Sequence, residues 1–238
     1  MVINYYPNSK LINRALANKG IAEIELKEYE KAKESFMKIM NGSDNDDEII
    51  HKNKGLELDI YANYKNIAAK NLSEIYILEE NYNEALKYLE LTKKYPYKTF
   101  CGNDYWSDKL YVKKLYAKCY LGLGDTTKAL DLLMPHLIDD RFSDNSELVE
   151  IVYQILIKRY WKDDLKKKFI DAFKKLRVKT VNEDGMDVEY YYITFLNYEL
   201  EVFWFDFVSI HQISKEKRKN MVENMYKNKK FYQLLENN

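Results

Sequence analysis

The chain has 238 residues, enough to bury a sizeable core as one long domain or two short ones. Its 38 Lys and Arg balance 38 Asp and Glu, so no global field selects nucleic acid or an anionic membrane surface. Seven Gly and three Pro are too few for a turn-rich β-sandwich or a Gly-rich nucleotide-binding fold, which leaves long helices with short punctuation.

The opening Met1-Val2-Ile3-Asn4-Tyr5-Tyr6-Pro7 has neither the basic n-region nor the apolar h-region of a signal peptide. Helical spacing of Leu11, Ile12, Leu16, Gly20 and Ile24 predicts a first helix to about Leu26, with Asn8 or Ser9 as its cap. A turn at Lys27-Glu28 leads to a second helix with Ala32, Phe36, Ile39 and Met40 on one face, ended by Asn41-Gly42-Ser43. A second pair runs from about Leu58 to Leu78 and from about Asn83 to Lys94, stopping before Pro96. The third pair spans about Asp108–Leu123 and Thr126–Ile138, where Pro135 predicts a kink or an early end. Asp144-Asn145-Ser146 reads as the cap of a fourth pair. Leu148, Ile151, Val152, Ile155 and Leu156 stripe its first helix, and Leu165, Phe169, Ile170, Phe173 and Leu176 its second.

From Asp187 to Val208 the chain turns aromatic and β-branched, and Glu199 and Glu201 alternate with Leu200, Val202 and Trp204. This predicts a two-stranded hairpin turning at Leu196-Asn197, with Leu200, Val202 and Trp204 inward. A wholly apolar terminal helix is the competing reading. A last helix is expected after Ser214, using Met221, Val222, Met225 and Tyr226, with Phe231 to Leu235 as a final turn. The expected organisation is a helical region over residues 8–178 and a capping hairpin plus helix over 187–238.

Three stretches repeat one pattern: Glu28 to Phe36, Asn81 to Leu89 and Gly124 to Leu133. Each has a polar turn, then an alanine (Ala32, Ala85, Ala129), then a large apolar residue four places on (Phe36, Leu89, Leu133). Small residues also recur in the preceding helix at Gly20, Ser73 and Ala117, and Tyr29 and Tyr82 stand in the turns. On these residues the chain resembles the tetratricopeptide repeat family, stacked helix pairs with small residues where helices touch closely. The resemblance covers about residues 11–138. Spacings longer than the family's place extra residues in Gly42–Leu56 and Tyr95–Ser107, Lys19 stands where a Leu is usual, and Thr92 replaces a small apolar residue. It implies a mainly all-α fold, an α-α superhelix of about four pairs. Its concave side would be lined by the first helix of each pair.

Carried over residue by residue, the family's groove positions fall on Arg14, Ala17, Asn18 and Ile21, on Lys70, Asn71, Glu74 and Ile77, and on Tyr111, Lys114, Lys118 and Leu121. Mixed charge there suits a protein or peptide partner better than a nucleic acid. Tyr105 and Trp106, in the string Cys101 to Trp106, are a second candidate contact, read as loop aromatics or as a plug between repeats. The implied function is a non-catalytic binding scaffold of a bacterial cytoplasm. A toxin-neutralising immunity-type protein and a peptide-sensing regulator are alternatives within binding. An enzyme using Cys101 or the Tyr-rich C-terminal region is the alternative outside it.

Little else points to chemistry. His51, His136 and His211 are far apart in sequence, and two cysteines make neither a disulfide framework nor a zinc site alone. Asp44 to Glu48 lacks the Gly and Glu of a calcium loop. Cys119 reads as a small buried hydrophobe. No metal or cofactor is expected. The basic runs Lys166 to Lys168, Lys174 to Arg177 and Lys215 to Lys219 lie among acids and read as solvated helix faces. No apolar run approaches the roughly 20 residues that span a bilayer, so no membrane partner is expected.

Overall fold

Helical spacing in the first half of the chain is realised as helices that fold back on one another in pairs. The computed structural model describes residues 2–5, 9, 11–42, 63–97, 99, 101–139, 144–183, 185–202 and 214–237. They fall into two compact units, Met1–Asp125 and Thr126–Asn238. Helices dominate, with one small antiparallel sheet.

Unit 1 holds α1 (Val2–Tyr5), α2 (Ile12–Glu25), α3 (Tyr29–Asn41), α4 (Tyr64–Leu78), α5 (Tyr82–Lys94) and α6 (Gly102–Gly122). From α2 onward each helix packs on the next, and the first helices of the pairs also touch, α2 on α4 and α4 on α6. Ala32 and Ala85 are wholly buried, as are Phe36 and Leu89 four residues beyond them. Close approach at Gly20 is needed because a Cβ there would stand 2.6 Å from the Phe36 ring. A Cβ on Gly122 would meet Tyr82 at 2.2 Å. Ser73 and Ala117, the other small positions, are fully buried too.

The turns repeat to the level of single hydrogen bonds. Lys27, Glu80 and Gly124 each lie five residues before a repeat alanine, and each has positive φ: 60°, 59° and 80°. Around them the N–H groups of Glu28, Asn81 and Asp125 reach back to the carbonyls of Glu23, Tyr76 and Tyr120, all at 2.8 Å. The N–H groups of Lys27, Glu80 and Gly124 reach Ile24, Ile77 and Leu121. This is the Schellman closure, which satisfies helix-end carbonyls and asks for a left-handed residue. Two of the three positions hold side chains that oppose that conformation by roughly 1–2 kcal/mol. Glu80→Gly is therefore expected to raise stability by about 1 kcal/mol, read as a higher denaturation midpoint. An unmoved midpoint would show that the turn stores no strain.

Expected ends are met closely in α2, α3 and α5. Tyr95 caps α5 immediately before Pro96. Neither Asn8 nor Ser9 is the N-cap of α2: that residue is Leu11, with no side-chain cap, and the Ser9 hydroxyl accepts the Leu11 N–H at 3.2 Å just outside the helix. α6 departs: it starts at Gly102, so the residues expected in a loop up to Ser107 belong to a 21-residue helix. The part of the expected second-pair helix before Asn63, and the extra residues from Ser43, lie outside the described residues.

Unit 2 holds α7 (Thr126–Leu133), a 3-10 turn (Met134–His136), α8 (Ser146–Leu156), α9 (Lys162–Lys174) and strands β1 (Arg177–Glu183), β2 (Met186–Phe195) and β3 (Tyr198–Glu201). α10 (Lys215–Glu223), a 3-10 turn (Met225–Asn228) and α11 (Lys230–Glu236) follow. Pro135 ends α7 early, as its missing N–H requires. Asn145 precedes α8 but does not cap it with its side chain. The buried amide instead donates to the carbonyls of His136 (3.3 Å) and Asp139 (3.0 Å), closing the preceding loop.

The expected two-stranded hairpin is part of a three-stranded sheet, ordered β1-β2-β3. Its β2–β3 turn is at Leu196-Asn197, both at positive φ, and Phe195 faces Tyr198 across it. Leu200 and Val202 are buried and Glu199 is exposed, while Trp204 lies outside the described residues. β1 departs from the expectation that residues 177 and 178 belong to the helical region: Arg177 to Glu183 pair with Tyr192 to Met186.

The two helices expected to form a fourth pair, α8 and α9, are brought together through the C-terminus. α11 packs on both α8 and α9, and β2 packs on α9. Phe231 of α11 stands edge-on to Tyr153 of α8 and to Phe169 of α9, with centroids 6.4 and 5.2 Å away. Val222 of α10 and Leu235 of α11 are buried as well.

Candidate partner-binding surface

The polar residues expected to face a partner lie on α2, α4 and α6, all in unit 1. Arg14 and Asn18 are exposed on α2. Asn71 and Glu74 on α4, and Tyr111, Lys114 and Lys118 on α6, are half-buried. The Tyr111 hydroxyl donates to Glu74 at 2.9 Å, which ties α4 to α6 across the surface. The Lys114 ammonium stands 6.0 Å from the centre of the Tyr111 ring. Asn71 turns its amide back to the Ile67 carbonyl of its own helix at 2.8 Å. Glu74, Tyr111 and Lys114 are thus one contiguous acid–phenol–amine group. It offers charge and hydrogen bonds of both senses.

Lys70, expected at a partner-facing groove position, is largely enclosed. It is 8% exposed, ion-paired with Asp108 of α6, and its ammonium lies 4.6 Å from the centre of the Tyr97 ring. The same end of α4 holds the segment after α5. Asn63 and Asn66 donate their amides to the carbonyls of Pro96 (3.0 Å) and Tyr95 (2.7 Å). Lys65 reaches the Gly42 carbonyl at 2.8 Å. These contacts make Lys70 a strut between two first helices. Burial, helped by Asp108, pushes the Tyr97 phenol above its ordinary value.

Tyr105 and Trp106 are 49% and 44% exposed, on the opening turns of α6 rather than in a loop. Their rings meet edge-on at 6.2 Å, and the Lys109 ammonium stands 5.0 Å from the Trp106 ring. A helix holds both rings in fixed relation, which suits an anchor better than a loop does.

Ser35 is buried within a clasp between α2 and α3. Its hydroxyl donates to Glu23 at 2.7 Å and accepts from Lys19 at 2.8 Å. Lys19, half-buried, thereby ties α2 to α3. Burial opposes ionisation of Glu23, but Lys19 and Ser35 outweigh it and hold the carboxyl below its usual value. Thr92 likewise bonds within the core, to the Leu89 carbonyl at 2.7 Å. Cys119 is fully buried, and burial pushes its thiol up to about 11. Cys101 is half-buried at the start of α6.

Among the described residues no group of three or more His, Cys, Asp or Glu could hold a metal ion. No helix among them is long and apolar enough to cross a membrane. His51, His211 and the acidic run from Asp44 to Glu48 lie outside the described residues. The basic runs of unit 2 have acids at hand: Lys166 pairs with Glu236, Lys168 with Asp164 and Lys219 with Glu223.

Unit 2 carries an exposed aromatic feature that helical periodicity does not mark. Trp161, at the start of α9, is 89% exposed and follows the exposed Arg159 and Tyr160. The string joins three residue types that dominate interface hot spots, and that composition was its available signal.

No family model, curated protein or solved structure matches the chain.

Proposed function

We propose that the chain is a non-catalytic, tetratricopeptide-like binding scaffold of a bacterial cytoplasm, its helix pairs continuing as a superhelix through residues 8–178. A protein or peptide would be gripped along α2, α4 and α6. The observation that carries this reading is the repeated turn at Lys27, Glu80 and Gly124, with identical hydrogen bonds and the same offset to a buried alanine. A repeated unit that juxtaposes its first helices generates an extended surface, and such surfaces are what solenoids use for recognition. The linked Glu74, Tyr111 and Lys114 suit a partner with both donors and acceptors, such as a peptide backbone flanked by charged side chains.

Affinity capture from the native host, with mass spectrometry, supplies the partner, and calorimetry then tests the surface. Replacing both Asn71 and Lys114 with alanine is expected to weaken binding by about ten- to a hundredfold, the loss of a charge-assisted contact. Stability should stay within about 0.5 kcal/mol, as for surface sites generally. Unaltered affinity would move the contact to Tyr105 and Trp106 or out of unit 1.

A further inference from the structure

The sheet of unit 2 ends in a strand whose outer side faces no other described strand. β1 is the edge in the order β1-β2-β3, and its packing is with β2. All of its residues except Val181 are exposed, including Val178 at 43%. Seven residues make a long edge with no strand beside it among the described residues, and exposed edge N–H and C=O groups template the addition of another strand. Val178, Thr180 and Val181 are β-branched and favour that pairing.

We propose that β1 joins β1 of a second copy, antiparallel about a two-fold axis at Thr180, making one sheet across a homodimer. The sequence of the strand selects this occupant and this register. With Thr180 opposite itself, Arg177 stands opposite Glu183 at both ends, Val178 opposite Asn182 and Lys179 opposite Val181. Every residue of the strand is paired, opposite charges meet twice, and like charges do not meet. Sliding toward the N-terminus sets Lys179 against Lys179. Sliding the other way leaves Arg177 and Val178 beyond the paired segment.

The faces agree with this arrangement. Val178 shares its sheet face with Tyr191, its partner in β2, and Tyr191 is buried with Ile193 and Leu200. That face ends in an exposed apolar residue at the place where a second copy would continue it. Arg177 now holds Glu199 at 2.5 Å, and Glu183 accepts from the Tyr190 hydroxyl at 2.5 Å. Both pairs are exposed, and a guanidinium with five N–H donors can serve Glu199 and a second carboxylate together.

Sedimentation velocity on the full chain over a wide concentration range tests the proposal. The wild type is expected to dimerise. Arg177→Glu puts two repulsive pairs into each dimer and should raise the dissociation constant about tenfold or more. Arg177→Glu with Glu183→Arg should restore it, since the pairs are only exchanged. Thr180→Pro should give monomer, because proline removes an N–H at the centre of the strand. Circular dichroism confirms that each variant is folded. A wild type that is monomeric at every concentration overturns the proposal. So does a dimer unmoved by Arg177→Glu, or one that the exchanged pair fails to restore.

Discussion

Phe169→Ala is expected to destabilise unit 2 by about 3–5 kcal/mol, the cost of removing a large buried ring and leaving a cavity. Phe169 is fully buried at the meeting point of three elements. Its ring lies 5.3 Å from Phe173 of its own helix, 5.2 Å from Phe195 of β2 and 5.2 Å from Phe231 of α11. Edge-to-face pairs add about 0.5–1.5 kcal/mol each beyond area burial, so the ring loses specific as well as general contacts. Phe195 and Phe231 belong to separate elements held by their own backbone bonds, which limits how far the cavity can collapse. Phe169→Leu, closer in volume, should cost much less. Urea denaturation gives the magnitude, and hydrogen exchange should place the loss in α9, α11 and the sheet. A loss under about 1 kcal/mol, typical of an average site, would mean that this cluster is not the core of unit 2.

The second large effect is expected at Lys70. Lys70→Met keeps most of the volume but leaves Asp108 without its cation, in a place where both side chains are largely enclosed, 10% and 14% exposed. Breaking a buried pair from one side costs about 3–5 kcal/mol; the remaining exposure here lowers the expectation to roughly 2–3 kcal/mol. Replacing both partners, Lys70→Met with Asp108→Leu, should recover most of the loss, because no buried charge remains. Chemical denaturation of the two single variants and the double variant yields the coupling. A Lys70→Met protein as stable as the wild type would return Lys70 to the set of plain surface positions.

These outcomes bear on which features could be read from residue order. The turns and close contacts of unit 1 were legible because their causes are local: small residues at Gly20, Ser73 and Ala117, and alanines at fixed offsets from a polar turn. Leu196-Asn197 was legible because Asn tolerates positive φ. β1 was not legible although Asp184-Gly185, a strong hairpin dipeptide, stands directly after it; the helical stripe ending at Leu176 carries the expected helical region on to Val178 and leaves 179–186 in neither region. The early start of α6 was missed because Cys101-Gly102-Asn103-Asp104 is rich in residues that punctuate loops, whereas here Asp104 occupies the first turn of a helix, where an acid is favourable. The strut role of Lys70 was not legible, since its partner Asp108 is 38 residues away and the pairing depends on how α4 meets α6. Likewise nothing local to Phe231 says that it will lie against Tyr153, Phe169 and Phe195.

The position of Phe231 has a consequence for the order in which the protein is made. Domains generally fold as units, the N-terminal one first, while synthesis proceeds. The core cluster of unit 1 that runs from Leu16 to Ile75 is complete well before Asp125, so its packing can finish while the ribosome is still reading the codons that follow. Unit 2 cannot do the same. The rings of α8, α9 and β2 meet around a side chain that is translated after all of them. Until Phe231 emerges, an apolar hollow faces the solvent, and that interval is when a nascent chain is most open to chaperones and to its neighbours.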